Sequence, residues 1–364
     1  MPAMVAEPKR ILVVLPTWVG DVVMATPTLA ALRRRFGQAH IACFGGRVAR
    51  DVLAGLTLTD EFLEDPSKAH GLRLRGAVRA SRLVRAGRFD AAVLLSNAFR
   101  VAMICRLGRA GRLVGYDRDS RGWLLNDRLQ APRRPDGRWA PIPAIQYYLA
   151  LAQRMGCDPT DRAMHLAVEP VFQAQADTLF RQAEMDCSKP VVLLNPGASF
   201  GSSKLYPADR YAAVADALHE RHGAQIIINA APSEKPIAAA VAEAMRHKPA
   251  INFAQHENTL GLLKAVTARS TLMITNDTGP RHIAAALGIG VVTIFGATDP
   301  DWTTIDCPRE RIVRVAMPCG PCQKKLCPQP EGDEYLRCLK SVAPEQVIAA
   351  AEELLCEALP EDRA

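Results

Sequence analysis

Residues 11–44 read ILVVLPTWVGDVVMATPTLAALRRRFGQAHIACF, and this stretch decides the class of fold. The run Ile11–Leu15 is continuously apolar and rich in β-branched residues, which is typical of a strand buried on both faces of a sheet. A loop with proline and glycine follows. The spacing of apolar residues then predicts a helix over Asp21–Phe36 and a second strand at Ile41–Phe44. Strand, loop, helix and strand in this order predict a parallel sheet covered by helices.

The same alternation of apolar runs and amphipathic stretches continues to the end of the chain. In the first half it predicts strands at Ala91–Leu95 and Arg112–Tyr116, and a loop over the proline-rich residues 131–143. In the second half the pattern starts again and predicts five strands: Val191–Leu194, Gln225–Asn229, Ile251–Phe253, Leu272–Thr275 and Val291–Phe295. We therefore expect two successive α/β domains with a boundary near residues 160–185, where His165–Glu169 would finish the first sheet.

Length and composition agree with this organisation and exclude several classes of protein. A chain of 364 residues is long for one core, and 49% hydrophobic with 23% charged residues excludes disordered, collagen-like and coiled-coil classes. The longest apolar stretch, residues 283–298, contains glycines and is shorter than the ~20 residues of a membrane span. Glu7 and Lys9 precede a short apolar run that leads to Pro16, which is unlike a signal peptide. We expect a cytoplasmic chain whose ten cysteines are reduced.

The net charge of +7 is concentrated in the first half of the chain. Residues 1–170 hold 26 lysines and arginines against 15 acids, whereas residues 171–364 hold 19 against 23. A basic half favours an anionic partner, such as a phosphate, a nucleic acid or a membrane surface.

Ten of the arginines form a band in which Asp90 is the one acid. The arginine band comprises Arg73, Arg75, Arg79, Arg82, Arg85, Arg88, Arg100, Arg106, Arg109 and Arg112. Only Phe89 and Phe99 are interleaved with it, and nucleic-acid binding usually needs more aromatic side chains for base stacking. A phosphorylated or membrane-held acceptor therefore fits the band better than nucleic acid does. A solvated helix face is the alternative for most of these side chains.

Ligands of doubly wound sheets bind outside the carboxyl ends of the strands, so the loops after the strands are the candidate sites. The sequence Asn276-Asp-Thr-Gly-Pro280 follows a strand and opens a helix, whose free backbone N–H groups and dipole favour an anion. Plain helix capping by Asp277 or Thr278 explains the same residues equally well. His282, one turn into the helix, is either a ligand contact or a helix-capping or core histidine.

A second loop, residues 196–204, is small and polar and ends in Lys204. Backbone N–H groups, serine hydroxyls and the lysine can bind phosphate, although the spacing is neither that of a P-loop nor that of a dinucleotide fingerprint. A solvated loop with a surface lysine is the alternative. Glu234, after the next strand, either accepts both hydroxyls of a ribose or is an ordinary acid in the first turn of a helix.

Asp21 lies in the first turn of the helix that follows the first strand. A carboxylate in this position can act as a general base facing a cleft, and it is equally a common acid stabilised by the helix dipole. The sequence Asp299-Pro-Asp301 is similar to a metal-binding Asp-x-Asp motif, but its proline favours a turn.

Four late cysteines, Cys319, Cys322, Cys327 and Cys338, have the spacing C-x2-C-x4-C-x10-C. Four thiolates can hold a tetrahedral zinc ion or an iron–sulfur cluster. Buried or redox-active thiols are the alternative, because a second regular C-x2-C pair is absent.

Taken together, these motifs resemble glycosyltransferase family nine, the ADP-heptose–lipopolysaccharide heptosyltransferases. The Trp-Val-Gly-Asp form at residues 18–21 looks most like the heptosyltransferase II branch. The resemblance covers the opening Ile11–Ala25, the loop Asn195–Pro207 and, most specifically, Thr275–Gly288. It extends over nearly the whole chain.

The resemblance implies a GT-B architecture, in which two Rossmann-like, doubly wound α/β domains face a cleft. Residues 1–175 would bind the acceptor, residues 176–342 would bind the nucleotide-sugar donor, and a helix in residues 343–364 would cross back to the first domain. It further implies an inverting transfer that needs no metal or other cofactor for catalysis, at the cytoplasmic face of the inner membrane. The partners would be ADP-heptose, an anionic lipopolysaccharide-core acceptor and the membrane surface, but no nucleic acid.

The resemblance also assigns roles to the site residues. Asp21 would be the general base on the acceptor hydroxyl. Lys204 and the Thr278–Gly279 backbone would stabilise the diphosphate as negative charge builds on the leaving ADP. Further donor-site roles fall to Ser202 and Ser203 at the phosphates, Glu234 at the ribose, and Asp277 and His282 as shaping residues.

Three positions depart from the family pattern. Tyr206 stands where a tryptophan is usual, Leu205 replaces a basic residue, and Arg281 replaces an apolar one. Transfer of another nucleotide-linked sugar by the same fold is therefore the nearest alternative. A nucleic-acid-binding protein with a cysteine metal knuckle is the alternative from another class, and the acidic second half and scarce aromatics oppose it.

Overall fold

The computed structural model describes residues 7–66 and 73–357, and the chain divides into two compact units. The first unit runs to His165 and also includes Asp301–Ile305. The second unit comprises Leu166–Pro300 and the residues that follow Ile305. Each unit is an α/β structure on its own parallel sheet, as the repeated pattern of the sequence predicts.

The strands of the first unit are β1 (Arg10–Val14), β2 (His40–Gly45), β3 (Glu61–Glu64), β4 (Ala91–Leu94), β5 (Arg112–Tyr116) and β6 (Asp127–Leu129). Its helices are α1 (Val19–Met24), α2 (Thr26–Arg35), α3 (Arg47–Leu53), α4 (Arg73–Gly87), α5 (Phe99–Leu107) and α6 (Ala144–Arg154). The strand order is β3-β2-β1-β4-β5-β6. Apolar runs predicted the four central strands, whereas the short edge strands β3 and β6 carry charged residues and leave no such run.

The predicted helix over residues 21–36 is two helices, α1 and α2, which meet at Ala25. Pro27 has no N–H to donate to the carbonyl of Val23, so the helical hydrogen-bond ladder is interrupted there. The Thr26 hydroxyl donates to that carbonyl instead, at 2.7 Å. Because of this break, α1 is a separate short helix that starts directly after the loop following β1.

The strands of the second unit are β7 (Val191–Asn195), β8 (Gln225–Ile228), β9 (Ile251–Asn252), β10 (Leu272–Asn276), β11 (Gly290–Phe295) and β12 (Glu310–Arg314). Its helices are α7 (Pro170–Gln182), α8 (Ala208–His222), α9 (Lys235–Ala244), α10 (Leu260–Arg269), α11 (Gly279–Ala286), α12 (Arg337–Lys340) and α13 (Pro344–Cys356). The strand order is β12-β11-β10-β7-β8-β9. The edge strand β12 was missed because its two apolar residues are flanked by charged ones and form no longer apolar run.

Two details differ from the domain organisation expected from the sequence. His165–Glu169 is irregular and joins neither sheet within the described ranges, and α7 packs against α10 in the second unit, so the division lies before residue 175. The last helix was expected to cross back to the first domain. Its described part, α13, packs against α8 and β11 of the second unit, and residues 358–364 lie outside the described ranges.

The strand order reverses once in each sheet, and the reversals mark the candidate sites. β1 pairs with β2 on one side and β4 on the other, and in the second sheet β7 pairs with β8 and β10. Doubly wound folds bind ligands at this switch point, in the crevice outside the carboxyl ends of the two strands. The candidate loops are therefore those after β1 and β4, and those after β7 and β10.

The helices of the described ranges are short. The longest, α4 and α8, have 15 residues each, and none is both long and apolar enough to cross a membrane. α4 contains the first part of the arginine band, and one of its sides packs against α5.

Candidate functional site

Two loops of the second unit meet at its switch point, after β7 and β10. Two buried asparagines hold them together. The Asn195 amide donates to the Thr278 hydroxyl at 3.0 Å, and the Asn276 amide donates to the Pro196 carbonyl at 2.8 Å. The two predicted phosphate-binding loops therefore lie side by side.

Lys204 reaches across this junction to Asp277. Its ammonium group donates to the Asp277 carboxylate at 2.6 Å and to the Asp277 backbone carbonyl at 2.8 Å. Only 12% of the lysine side chain and 6% of the aspartate side chain are exposed, so this is not a solvated surface lysine. Burial by itself would raise the pKa of Asp277, but the charges of Lys204 and Arg281 lower it.

Arg281, one of the departures from the family pattern, completes this buried cluster. It donates to both carboxylate oxygens of Glu310 at 2.6 and 3.0 Å, and lies 3.5 Å from Asp277. The Thr293 hydroxyl also donates to Glu310, at 2.6 Å. Two buried cations, Lys204 and Arg281, thus face two buried carboxylates, and we call these four residues the ion-pair cluster. Its balanced charge explains how a buried arginine is tolerated in place of an apolar residue.

The N-terminus of α11 distinguishes helix capping from anion binding. Thr278 is the N-cap residue, yet its side chain makes no capping hydrogen bond, and its hydroxyl accepts from Asn195 instead. The Asp277 carboxylate is taken up by Lys204 and by the Thr298 hydroxyl at 2.8 Å. Neither candidate residue therefore caps the first turn of α11, which favours the anion-binding interpretation.

Glu234 ends the 3-10 turn Pro232–Glu234 after β8 and lies against the loop of residues 196–204. Its carboxylate accepts from the N–H of Ala231 at 3.2 Å, as an acid in a first turn does. The same carboxylate packs on Gly197, where an added Cβ would lie 2.2 Å from the carboxyl carbon. This close approach brings the predicted ribose-binding acid to the loop of residues 196–204.

Ser203 differs from its predicted role as a phosphate donor. Its side chain is buried, its hydroxyl donates to the carbonyl of Lys324 at 2.5 Å, and its N–H donates to the carbonyl of Lys325 at 3.1 Å. Because the hydroxyl proton is already used, Ser203 cannot give it to a phosphate in this geometry. Ser202 is half-buried in the same turn, and its role stays a prediction.

Tyr206, which stands in place of the family tryptophan, belongs to the core of the second unit. It is buried, its ring packs edge-on against Tyr211 at 5.3 Å, and its hydroxyl donates to the carbonyl of Val342 at 3.0 Å. This departure changes internal packing and leaves the polar groups of the phosphate loops in place.

His282 is a core histidine. Only 3% of the residue is exposed, and its Nδ1 has no hydrogen-bond partner among the residues that the structure describes. Burial, and after it the charge of Arg281, lowers the pKa of His282 to about 3. The ring is therefore neutral at physiological pH.

Replacing His282 by glutamine is expected to flatten the acid dependence of stability. The unfolded chain binds the histidine proton with an ordinary pKa near 6.5, whereas the folded chain binds it only near 3. Stability is therefore lost as pH falls through this window, by at most about 1.4 kcal/mol per pH unit. Urea unfolding at about pH 6.5 and about pH 4.5 measures the difference. Equal losses in wild type and His282→Gln would contradict the assignment, and the exposed His256→Gln is the matched control.

The four late cysteines line one small cavity in the second unit. All four are free thiols, and burial, together with the charges of the other three, raises the pKa of Cys338. Within residues 7–66 and 73–357, no group of three or more histidine, cysteine, aspartate or glutamate side chains is arranged to hold a metal ion. The structure therefore does not support the predicted zinc ion or iron–sulfur cluster. Asp299 and Asp301 flank Pro300 at a 3-10 turn, as the proline predicts.

Asp21 lies in the first turn of α1, at the switch point of the first unit. Tyr148 of α6 is almost fully buried beside it and hydrogen-bonds to its carboxylate. Burial raises the pKa of Tyr148 well above its ordinary value, and the charge of Asp21 and this hydrogen bond raise it further. The tyrosine therefore keeps its proton and acts as a fixed donor to Asp21.

The neighbouring loop, after β4, is held by Arg121. This fully buried guanidinium donates to the carbonyls of Tyr116 and Ser96 and, at 3.1 Å, to the Asn97 side chain. The Tyr147 hydroxyl donates to the same Asn97 oxygen at 3.0 Å. Sequence reasoning missed this network because a single arginine in an irregular segment has no periodic pattern. The one feature that could have indicated a role for Arg121 is its position just after β5, at the carboxyl edge of the sheet that also carries Asp21.

The arginine band does not form one surface. Four of its members lie on the exposed face of α4: Arg75, Arg79, Arg82 and Arg85. Arg100 is paired with Asp65 at 2.8 Å, and Arg112 is paired with Asp127. Arg88 and Arg109 lie beside Asp90, which precedes β4, and are thus at the edge of the sheet opposite Asp21. The side chain of Arg73 lies outside the described residues.

A match to a family model shows which protein family the chain belongs to. The model described as glycosyltransferase family 9 (heptosyltransferase) matches residues 77–331, which include both predicted phosphate-binding loops. The chain belongs to glycosyltransferase family 9. It is therefore a glycosyltransferase, and the resemblance found in its sequence is confirmed. The alternative of a nucleic-acid-binding protein is set aside.

Curated relatives of this family 9 protein match over nearly their whole length. Lipooligosaccharide heptosyltransferase 2 of Haemophilus influenzae is 27% identical, and the match covers 96% of this chain and 100% of the relative. Lipopolysaccharide heptosyltransferase 2 of Salmonella typhimurium is also 27% identical, with 96% of the chain and 99% of the relative covered.

Solved structures agree on the fold. A family 9 glycosyltransferase from Veillonella parvula matches with a TM-score of 0.82 at 24% identity, covering 96% of this chain and 98% of that one. ADP-heptose lipopolysaccharide heptosyltransferase II of Escherichia coli matches with a TM-score of 0.76 at 23% identity, covering 95% and 98%. The predicted GT-B, Rossmann-like α/β class is confirmed.

Proposed function

We propose that this glycosyltransferase transfers heptose from ADP-heptose to an anionic acceptor of the lipopolysaccharide inner core, with inversion and without a metal ion. The observation that carries the proposal is the buried Lys204–Asp277 pair beside the uncapped N-terminus of α11. The heptosyltransferase 2 relatives support the choice of sugar and acceptor class.

The donor would be bound by the second unit. The diphosphate would take the N–H groups of the first turn of α11 and the Lys204 ammonium, and Glu234 would accept the ribose hydroxyls. Negative charge grows on the ADP oxygen as the glycosidic bond breaks, and a cation and amides already in place lower the energy of that state. Asp277 would hold Lys204 in position before the donor arrives.

The acceptor would be activated by Asp21 in the first unit. The oxygen of the acceptor hydroxyl attacks the anomeric carbon, the bond from that carbon to the diphosphate oxygen breaks, and the hydroxyl proton passes to the Asp21 carboxylate. A carboxylate is a weak base, so its effect depends on placement at the attacking oxygen. The fixed hydroxyl of Tyr148 supports that placement by holding one carboxylate oxygen.

The test is an assay of purified protein with ADP-heptose and a heptose-terminated core saccharide. ADP release together with a gain of one heptose in the mass of the acceptor is the expected result. The same assay with UDP- and GDP-linked sugars distinguishes the alternative donor: a higher kcat/KM with one of these would replace ADP-heptose in the proposal. Background release with every donor would overturn it.

Contact with the cytoplasmic face of the inner membrane would be made by α4. Leu74, Val78 and Leu83 are 80, 42 and 40% exposed on this helix, and four exposed arginines accompany them. The helix contains no acidic residue. A basic helix with exposed apolar side chains is typical of proteins that bind an anionic membrane surface.

Reversing two of these charges, in Arg79→Glu/Arg82→Glu, is expected to weaken binding to phosphatidylglycerol vesicles by at least about tenfold, since each basic residue near such a surface contributes about 1 kcal/mol. Co-sedimentation measures the effect. Arg181→Glu/Lys248→Glu makes the same charge change on exposed residues of the second unit and should bind like wild type. Equal binding by all three proteins would contradict the role of α4.

A further inference from the structure

We propose that Arg118, Trp139 and Arg133 form a subsite for an anionic group of the acceptor saccharide, in the first unit and on the same edge of the sheet as Asp21. The inference rests on the proposed heptosyl transfer, which supplies the acceptor. It adds a specificity contact that neither the family motifs nor the arginine band pointed to.

The subsite is built on the ring of Trp139. The guanidinium carbon of Arg118 lies 4.3 Å from the ring centroid, and that of Arg133 lies 3.8 Å from it. Arg133 and Trp139 are also bridged as antiparallel backbone partners, and Arg133 donates to the carbonyl of Gly137 at 2.8 Å. A guanidinium held over an indole ring keeps its N–H groups at the ring's edge, and those that donate to no protein acceptor can bind a ligand.

Arg118 is brought to the tryptophan by a strained turn. Asp119 and Ser120, directly after it, have φ angles of 53° and 58°, which two consecutive residues with side chains rarely adopt. The turn is anchored on the other side by the buried Arg121. Strain of this kind persists where the surrounding structure holds it, and it is common at functional sites.

The two guanidinium groups lack a counter-ion. Among the residues that the structure describes, neither Arg118 nor Arg133 lies within ion-pair distance of a carboxylate, and the Nε of Arg118 is buried without a hydrogen-bond partner. Two like charges on one ring repel each other, so a bound anion would relieve the repulsion and satisfy the open donors. A phosphate or carboxylate matches the planar fork of a guanidinium.

The subsite is close to the proposed base. Arg118 hydrogen-bonds to the hydroxyl of Tyr147, and the next residue of α6, Tyr148, hydrogen-bonds to Asp21. Two adjacent tyrosines thus connect the anion subsite to the carboxylate. A saccharide whose attacking hydroxyl lies at Asp21 would place a charged substituent of the same or the neighbouring sugar at Arg118 and Arg133.

The ligand is therefore a sugar phosphate ester or a sugar carboxylate within the acceptor. Three acceptors separate these sources: the core saccharide with its phosphates, the same saccharide after removal of the phosphates, and a carboxyl-reduced form. The arginines should distinguish the native saccharide from the form that lacks the recognised anion.

The decisive variant is Arg133→Gln, because Arg133 is exposed and its loss does not open the core. We expect the KM for the native acceptor to rise by about tenfold or more, with kcat and the KM for ADP-heptose within about twofold of wild type. Arg118→Gln should act in the same direction. Arg134→Gln and Arg138→Gln remove exposed arginines of the same loop and should leave every constant unchanged.

The acceptor without the recognised anion gives the second readout. On it, wild type and Arg133→Gln should have the same KM, whereas a purely structural role would raise the KM for every acceptor alike. An unchanged KM on the native saccharide, or an equal rise on all three, would overturn the subsite. Calorimetric binding of the native saccharide without donor separates this outcome from failure of the proposed function, because the subsite predicts binding even if no transfer occurs.

Discussion

Replacing Asp21 by asparagine is expected to lower kcat for heptosyl transfer by about 10²–10⁴-fold, the usual contribution of a positioned general base. Asparagine has nearly the same shape and its carbonyl still accepts from Tyr148, so the fold and the affinity for ADP-heptose should not change. Steady-state ADP release with varied donor and varied acceptor separates kcat from the two KM values.

A matched control for this prediction is Asp51→Asn. Asp51 lies in the same unit, is partly exposed, and is paired with its neighbour Arg50 at 3.3 Å. It should leave kcat unchanged. If Asp21→Asn keeps kcat within about tenfold of wild type, the proton is removed by another group and the assignment of the base is wrong.

Replacing Lys204 by methionine is the second change with a large expected effect. The lysine would act on charge that develops on the leaving diphosphate, and loss of one such donor lowers kcat by about 10²–10³-fold. The affinity for ADP should fall less, because the ground state carries less charge at the breaking bond. Calorimetry with ADP and initial rates with ADP-heptose measure the two quantities.

The same variant must be checked for stability. Without Lys204 the buried Asp277 carboxylate keeps the cation Arg281, at 3.5 Å, and the Thr298 hydroxyl, at 2.8 Å. Breaking one partner of a buried pair costs about 3–5 kcal/mol when no other cation remains. Because Arg281 remains, urea unfolding of Lys204→Met should show a loss in the free energy of unfolding smaller than about 3–5 kcal/mol. Lys248→Met removes an exposed lysine of the same unit and is the control for both measurements. A kcat near wild type for Lys204→Met in a folded protein would contradict its role.

The central part of each sheet could be predicted from sequence because its strands are buried on both faces. Four apolar runs gave the central strands β1, β2, β4 and β5 of the first sheet. The edge strands were missed, since a strand with one open side keeps charged residues and loses the continuous run. The spacing of apolar residues also did not predict that the helix over residues 21–36 is divided into α1 and α2. Pro27 fits the amphipathic pattern, and it interrupts the helical hydrogen bonds only because it has no N–H.

The position of the loops after β7 and β10 could be predicted because local sequence dictates it. A strand, small polar residues and a helix start suffice to place Lys204, Asp277 and Thr278 at one edge. Local sequence could not show what each side chain bonds to. The Ser203 hydroxyl is used by a carbonyl 121 residues away, and His282 faces the core. Arg118 and Trp139 meet only through tertiary folding, from two irregular segments.

The two hydrogen bonds from Ser203 to the carbonyls of Lys324 and Lys325 have a consequence for nucleotide affinity. A glycine- and serine-rich loop in isolation samples many conformations, and a ligand that has to order it loses part of its binding free energy to that entropy. Here the ordering is completed when the second unit folds, since the loop is fastened to the segment between Cys322 and Cys327. In the proposed donor site, the pre-organised loop would therefore let the contacts made by a phosphate count almost fully towards affinity.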